Sequence, residues 1–171
     1  MGKPYFIRVT EQSPTMFWIN NPTRKQAEKA IANGALGCTN NPSYTQKMID
    51  HPDEKEYALR LLDESIRECG DDWETAEIFQ RKMVKPVSDM FMPMFKQSNG
   101  QHGYVSIQGD PIHEEDPQVI IDEGRKNRQM SPNIMIKIPA TRAGLEAMGV
   151  LIEENTPLNA TEIMATSPMP A

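Results

Sequence analysis

Five short apolar segments alternate with segments of helical periodicity along this chain. Strands that alternate with helices are typical of α/β proteins with a parallel sheet, and right-handed crossovers place successive strands side by side. An open doubly wound sheet and part of an eight-stranded barrel both fit this order, and periodicity does not choose between them. The predicted strands cover residues 15–20, 36–41, 104–108, 133–139 and 158–165.

The segment between the second and third predicted strands has helical periodicity throughout. Proline lacks a backbone donor and interrupts helices, so we expect Pro86 to end one helix and Pro93 to kink the next. The predicted helices of this segment cover residues 43–50, 53–69, 71 or 72 to 86, and 87–95.

The N-terminal part of the chain supports two further predictions. Residues 1–14 have no clear periodicity and contain Pro4 and Pro14, so we expect an extended arm there. After the first strand, Asn21 is predicted to cap a helix, with Pro22 at its first helical position.

Lys137 lies in the middle of the most apolar predicted strand, which reads NIMIKIP. Side chains alternate along a strand, so the three isoleucines share one face, while Met135 and Lys137 share the other. In a barrel the isoleucines meet the helices and the lysine points inward, where loss of hydration favours the neutral amine. A neutral amine is a nucleophile that forms Schiff bases with carbonyls. A lysine that snorkels or pairs with a carboxylate explains the position equally well.

Other polar residues follow the same alternation near the ends of the neighbouring predicted strands. If the sheet belongs to a barrel, they surround the lysine at the end where barrel active sites are built. Taken singly, each amide or hydroxyl is better explained by bonds to loop backbone. These candidates are Asn41, Ser106, Gln108, Asn159 and Thr161.

Composition and charge exclude several classes of function. The formal net charge is −6, which argues against a nucleic-acid surface. No apolar run approaches the ~20 residues of a membrane span, and no signal-peptide pattern is present. Cys38 and Cys69 have no metal-ligand spacing. We therefore expect a soluble, cytoplasmic protein without a metal site.

Four motifs in order resemble the transaldolase family. NIMIKIPAT resembles the segment around the family's Schiff-base lysine, and CTNNPS resembles its threonine-threonine-asparagine-proline-serine signature. GYVSIQGDP and LNATEI are similar to the family's third strand and to the strand after the lysine helix. The resemblance covers residues 15–165. It implies an α/β fold of the (β/α)8 TIM-barrel type, with five of eight strands present and a helical insertion between strands 2 and 3. We divide the chain into an arm, residues 1–14, and one partial barrel domain, residues 15–171.

The resemblance implies cofactor-free transfer of a dihydroxyacetone unit between sugar phosphates, as in the pentose phosphate pathway. Lys137 would be the nucleophile, and Asn41 would hold a substrate hydroxyl. Thr161 would position the catalytic water, and Asn159 would help to bind the dihydroxyacetone moiety. Gln108 would orient a water, and Ser106 is predicted to line the same substrate site.

The chain departs from the family at its acid–base residue. Ile19 aligns with the strand-1 aspartate, and Asn20 is one residue away. Neither exchanges a proton as a carboxyl does. The strand-3 glutamate aligns with Gln108, which does not titrate. Asp110 and His113, just beyond the third strand, are alternative acid–base groups.

The departures leave two interpretations open. One is a transaldolase-like enzyme, and the other is a catalytically impaired homologue or fragment that binds a sugar phosphate or a protein. Three explanations of the missing strands stay open: the chain is a fragment of a longer protein, a second copy or a partner completes the barrel, or the end of the chain folds differently.

Overall fold

Five parallel strands form one sheet in the order β1-β2-β3-β4-β5 in a computed structural model that describes residues 2–163. The order never reverses, whereas a doubly wound sheet reverses at a switch point. The sheet is therefore half of a β/α barrel, and the predicted fold class is confirmed. The strands are β1 (Phe17–Asn20), β2 (Ala35–Asn40), β3 (Tyr104–Gln108), β4 (Ile134–Pro139) and β5 (Leu158–Thr161).

Seven helices accompany the sheet within the described residues. Right-handed crossovers place the connecting helices on one face of the sheet and leave the other face as the inner wall of the half-barrel. Three helices form the predicted insertion between β2 and β3. The helices are α1 (Tyr5–Gln12), α2 (Arg24–Ala32), α3 (Tyr44–Asp50), α4 (Lys55–Glu68), α5 (Asp72–Gln97), α6 (Pro117–Arg128) and α7 (Arg142–Glu153).

The hydrophobic core lies between the sheet and these helices. Ile134, Ile136 and Ile138 of β4 are at most 2% exposed, while Met135 and Lys137 between them are only partly buried. This confirms the predicted alternation, with the isoleucines against the helices and the lysine on the inner face.

The N-terminal segment is not extended, and that prediction was wrong. Residues Tyr5–Gln12 form α1, and Phe6 stacks on Phe17 of β1 with ring centroids 4.2 Å apart. A Cβ on Gly34, which has a φ of 102°, would lie 2.8 Å from the backbone nitrogen of Ile7. The contact with β1 stabilises the helix, and Gly34 leaves room for its backbone to lie close. A periodicity count detects neither feature.

Helix α5 continues through both prolines, so the predicted break near Pro86 was wrong. An interior proline costs ~3 kcal/mol, but burying a large apolar side chain gains ~1.5–3 kcal/mol. Met83, Val87 and Phe91 on either side of Pro86 are at most 2% exposed. Their combined burial outweighs the helix-breaking tendency.

Helix α2 begins later than predicted, because Thr23 and not Asn21 is its cap. Thr23 and Gln26 form a capping box in which each side chain accepts a hydrogen bond from the other's backbone N–H. Asn21 instead adopts a positive φ of 46°, and its side chain binds another loop.

The remaining boundaries are close to those predicted. The second strand ends at Asn40, so Asn41 is the first residue beyond it. Residues 164 and 165 of the predicted fifth strand lie outside the described residues. No helix within residues 2–163 is both long and apolar enough to cross a bilayer. The division into an arm and a barrel domain stays a prediction.

Candidate active site

The register of the parallel strands brings the candidate residues into rows on the inner face. Gln108 of β3 pairs with Lys137 of β4, which pairs with Asn159 of β5. Paired residues in a parallel sheet point to the same face. These three side chains therefore form one polar row across the inner wall, near the carboxyl ends of the strands, where barrel active sites lie.

Asn41 contacts Lys137 although 96 residues separate them. The Lys137 Nζ donates a hydrogen bond to Asn41 Oδ1 at 2.5 Å. Among the described residues, no carboxylate forms an ion pair with Lys137. The neutral amide gives the amine a fixed direction.

Asn41 is itself held by two asparagines from the end of β1. Its Nδ2 donates to Asn20 Oδ1 at 3.1 Å, and its backbone N–H donates to Asn21 Oδ1 at 2.8 Å. Lys47 Nζ in turn donates to the Asn21 carbonyl oxygen at 2.7 Å. A hydrogen-bonded chain therefore runs from the β1–α2 loop to the lysine.

Asn20, and not Ile19, occupies the inner face at the end of β1. Asn20 pairs with Thr39, and Thr39 Oγ1 donates to Asn20 Oδ1 at 3.2 Å. Ile19 packs against the core on the helix side. The inner position on the first strand therefore carries an amide, which does not titrate.

The other predicted site residues occupy two neighbouring rows. Ser106 and Asn159 are in contact, since Asn159 Nδ2 donates to Ser106 Oγ at 3.2 Å. Thr161 pairs with Pro139, one row beyond Lys137. Gln108 is 6% exposed, and its carbonyl oxygen accepts a hydrogen bond from Gln80 Nε2 of α5 at 3.0 Å.

The loop between β3 and α6 carries the two alternative acid–base groups, and they bind each other. The Asp110 carboxylate contacts His113 Nδ1, and its other oxygen accepts from the Ile112 N–H at 2.7 Å. Burial raises the pKa of Asp110, but the bonds to His113 and Ile112 outweigh it and hold that pKa below its ordinary value. The His113 ring meets Trp73 edge to face.

A narrow cavity lies between β3, β4 and α6 on the helix side of the sheet, where the core residues Ile120 and Ile136 line it. Lys137 and Gln108 line it together with three carboxyl residues, Asp110, Glu114 and Glu123. Sequence patterns did not indicate Glu114 or Glu123, because Glu114 lies in an irregular loop and Glu123 is in the middle of a helix.

Glu123 of α6 anchors the loop between β3 and α6. Its Oε2 accepts the Asp110 backbone N–H at 2.6 Å, and a Cβ on Gly109 would lie 2.0 Å from the same oxygen. Burial, followed by the hydrogen bond with Glu77, raises the pKa of Glu123 to about 7. Glu123 therefore favours its protonated form, and its bond to the Asp110 N–H contributes to holding the loop in place.

Within residues 2–163, no group of three or more histidine, cysteine, aspartate or glutamate side chains is arranged to hold a metal ion. The polar groups on the inner face are an amine, amides and hydroxyls. This set is suited to binding and covalent capture of a carbonyl compound.

Comparison with known proteins assigns the family. The sequence pattern of the family described as Transaldolase/Fructose-6-phosphate aldolase matches residues 17–168. The match includes all five strands and every candidate site residue. The chain belongs to this family.

Individual transaldolases are similar to most of the chain. Transaldolase 1 of Streptomyces avermitilis is 31% identical over 156 residues, 86% of the chain and 40% of that protein. A Helicobacter pylori transaldolase is 31% identical over 144 residues, 80% of the chain and 42% of that protein. Transaldolase 1 of Streptomyces coelicolor is 30% identical over 92% of the chain and 42% of its own length. The chain thus spans about two fifths of the length of these transaldolases.

Proposed function

We propose that this chain carries the Schiff-base site of a transaldolase-like transferase, with Lys137 as the nucleophile. The supporting observation is the polar row of Gln108, Lys137 and Asn159 on the inner face. Lys137 is only partly exposed there and is bound by the amide of Asn41. These surroundings favour a reactive amine over the salt-bridged structural lysine that the sequence also allowed.

The proposed reaction transfers a dihydroxyacetone unit between sugar phosphates and needs no cofactor. The neutral amine of Lys137 adds to the ketone of the donor, and the ketone oxygen leaves as water. The bond between C3 and C4 then breaks and releases an aldose phosphate, while its electron pair forms an enamine on the lysine. The enamine adds to the aldehyde of a second sugar phosphate, and water frees the new ketose from Lys137.

The neighbouring residues take binding roles in this proposal. Asn41 holds a substrate hydroxyl, and Asn159 with Ser106 binds the dihydroxyacetone part of the donor. Gln108 and Thr161 orient the water that forms and hydrolyses the Schiff base. Hydrogen bonds that fix the reacting atoms in this way convert binding energy into rate.

A non-catalytic homologue that binds a sugar phosphate is the second candidate. It is favoured by the amide of Asn20 at the inner end of β1, where the family resemblance places a titrating aspartate. A positioned acid or base contributes ~10²–10⁴-fold in rate, so its loss favours binding without turnover unless another group replaces it.

Oxygen exchange separates the two candidates. Each cycle of Schiff-base formation and hydrolysis replaces the ketone oxygen of fructose 6-phosphate with oxygen from water, even without carbon–carbon cleavage. We expect the full chain in ¹⁸O-water to exchange this oxygen faster than buffer, and Lys137→Met to return the rate to the buffer value. Lys29→Met, which removes an exposed lysine from α2, is the matched control. Equal rates for the wild type and Lys137→Met would favour the binding homologue.

A further inference from the structure

The end of β1 carries an amide, Asn20, whose oxygen accepts two hydrogen bonds. Asn41 Nδ2 donates to Asn20 Oδ1 at 3.1 Å, and Thr39 Oγ1 donates to the same oxygen at 3.2 Å. The oxygen and nitrogen of an amide have nearly the same shape, so the hydrogen-bond partners decide which of them faces a neighbour. The nitrogen of Asn41 only donates, and it therefore requires the oxygen of Asn20 on its side.

Hydrogen bonds between two strand ends hold these side chains together. Asn20 pairs with Thr39 in the register of β1 and β2, and the Asn21 N–H donates to the Thr39 carbonyl oxygen at 2.8 Å. The Asn41 backbone N–H donates in return to Asn21 Oδ1 at 2.8 Å, and Asn21 is 7% exposed. The contact between Asn20 and Asn41 is therefore fixed by the backbone around it.

The bond to Asn20 decides which atom Asn41 presents to Lys137. Asn41 Nδ2 faces Asn20, so Asn41 Oδ1 is left to accept from Lys137 Nζ, at 2.5 Å. The hydrogen bonds of the three side chains all run in one direction. The amine donates to the first amide, and the first amide donates to the second.

This direction keeps the lone pair of a neutral Lys137 amine free. A neutral amine has two N–H groups and one lone pair, and the lone pair attacks a ketone. An N–H that donates to Asn41 Oδ1 does not use that lone pair. If the Asn41 amide were reversed, one of its own N–H groups would face the amine and donate to the lone pair, which would block the nucleophile.

We propose that Asn20 is a positioning residue that keeps the Asn41 oxygen turned toward Lys137. This assignment rests on the proposed Schiff-base function of Lys137 and adds a residue that has no role in it so far. Asn20 acts through Asn41, and its amide does not titrate. The amide at the end of β1 thus serves formation of the Schiff base and not proton transfer during cleavage.

The step that Asn20 assists is the addition of Lys137 to the ketone of the donor. The amine lone pair forms the new bond to carbon, and the electron pair of the carbonyl double bond moves to oxygen. The two amine protons pass to that oxygen, which leaves as water, and the C=N bond of the Schiff base remains.

Removal of the acceptor at Asn20 tests the assignment. Leucine is close in size to asparagine but accepts no hydrogen bond, and Asn20 is exposed, so Asn20→Leu leaves the core unchanged. We expect it to lower the Lys137-dependent oxygen exchange of fructose 6-phosphate ~2- to 10-fold, as for the loss of one hydrogen bond between neutral groups. Asn20→Ala, which also lacks the acceptor, should show a similar loss.

Two further variants separate the lost acceptor from the substitution itself. Asn20→Asp keeps an oxygen for Asn41 and Thr39, and we expect it to recover most of the rate at the pH where it is fastest. Gln97→Leu removes an exposed amide at the end of α5 and should match the wild type. Urea denaturation of each variant checks that it is folded.

A double-mutant cycle shows whether Asn20 acts through Asn41. In the Asn41→Ala background, we expect Asn20→Leu to have no further effect on exchange, because the amide that it orients is absent. A merely structural role of Asn20 would lower the rate by the same factor in both backgrounds.

Three outcomes would overturn the assignment while the proposed function stands. They are wild-type exchange by Asn20→Leu and Asn20→Ala, an Asn20→Asp variant as slow as Asn20→Leu, and the same loss with and without Asn41. Absence of Lys137-dependent exchange in the wild type would instead reject the proposed function, and this assignment with it.

Discussion

Asn41 determines the direction in which Lys137 presents its amine. A hydrogen bond between neutral groups contributes ~0.5–1.5 kcal/mol, and each ~1.4 kcal/mol changes a rate about tenfold. We therefore predict that Asn41→Ala lowers the Lys137-dependent oxygen exchange about 2- to 10-fold. Gln97→Ala, at the end of α5 and exposed, is the control. An unchanged exchange rate in Asn41→Ala would mean that the amide does not position the amine.

Glu123 gives the fold a pH dependence of its own. Its pKa is about 7 in the folded chain, against an ordinary value of 4.5. A raised pKa means that the folded state prefers the protonated carboxyl, so this stabilisation is complete below about pH 4.5 and is lost as pH rises through about 7. Glu77 has a lowered pKa, and its contribution changes in the opposite direction, being lost as pH falls.

Glu123→Gln isolates the contribution of this carboxyl. Glutamine keeps an acceptor for the Asp110 N–H but does not ionise. We predict that the variant and wild type have similar free energies of unfolding near about pH 5, and that near about pH 8 the variant is more stable by ~1–3 kcal/mol. Urea denaturation at both pH values measures this difference. A variant that is less stable than the wild type at the higher pH would contradict a raised pKa of Glu123.

Single residues were predictable where strand alternation applies and unpredictable where it does not. Alternation was sufficient to place Lys137 with its neighbours on the inner face. It did not decide between Ile19 and Asn20, because the β1–β2 register shifts between Phe17 and Trp18. No sequence pattern indicated Glu123, because it lies in the middle of α6 and its bond to the Asp110 N–H forms only in the folded state.

Helix α5 shows how packing overrides local preference at the scale of an element. Its prolines predicted two helices, and the structure has one of 26 residues. Sequence patterns report the ~3 kcal/mol cost of an interior proline but not the core that forms around Phe79, Met83 and Phe91. The same limit explains α1, whose helix depends on contact with β1.

Replacing Pro93 tests the continuity of α5. Pro93 is exposed, so alanine removes few contacts and restores the missing backbone donor. We predict that Pro93→Ala increases the free energy of unfolding by ~1–3 kcal/mol, measured by urea denaturation. Pro4→Ala, at the cap of α1 and outside any helix interior, should change it much less. No gain from Pro93→Ala would indicate that the helix does not continue through this position.

At the scale of the whole molecule, the order of elements predicted the sheet, and the four motifs predicted the barrel type. The alternation left an open sheet and a barrel equally acceptable, because local patterns do not report strand order. The five strands form a polar inner face. A second copy and a partner remain the two candidates to complete the barrel, and sedimentation of the full chain separates them, since a monomer would contradict a second copy.

The proposed function requires a covalent bond between Lys137 and a ketose. Incubation of the full chain with fructose 6-phosphate and borohydride, followed by intact mass and peptide mapping, measures that bond directly. We predict one sugar-phosphate adduct on the peptide that contains Lys137, and none in Lys137→Ala. A folded wild-type chain without an adduct, or an adduct that persists in Lys137→Ala, would contradict the account.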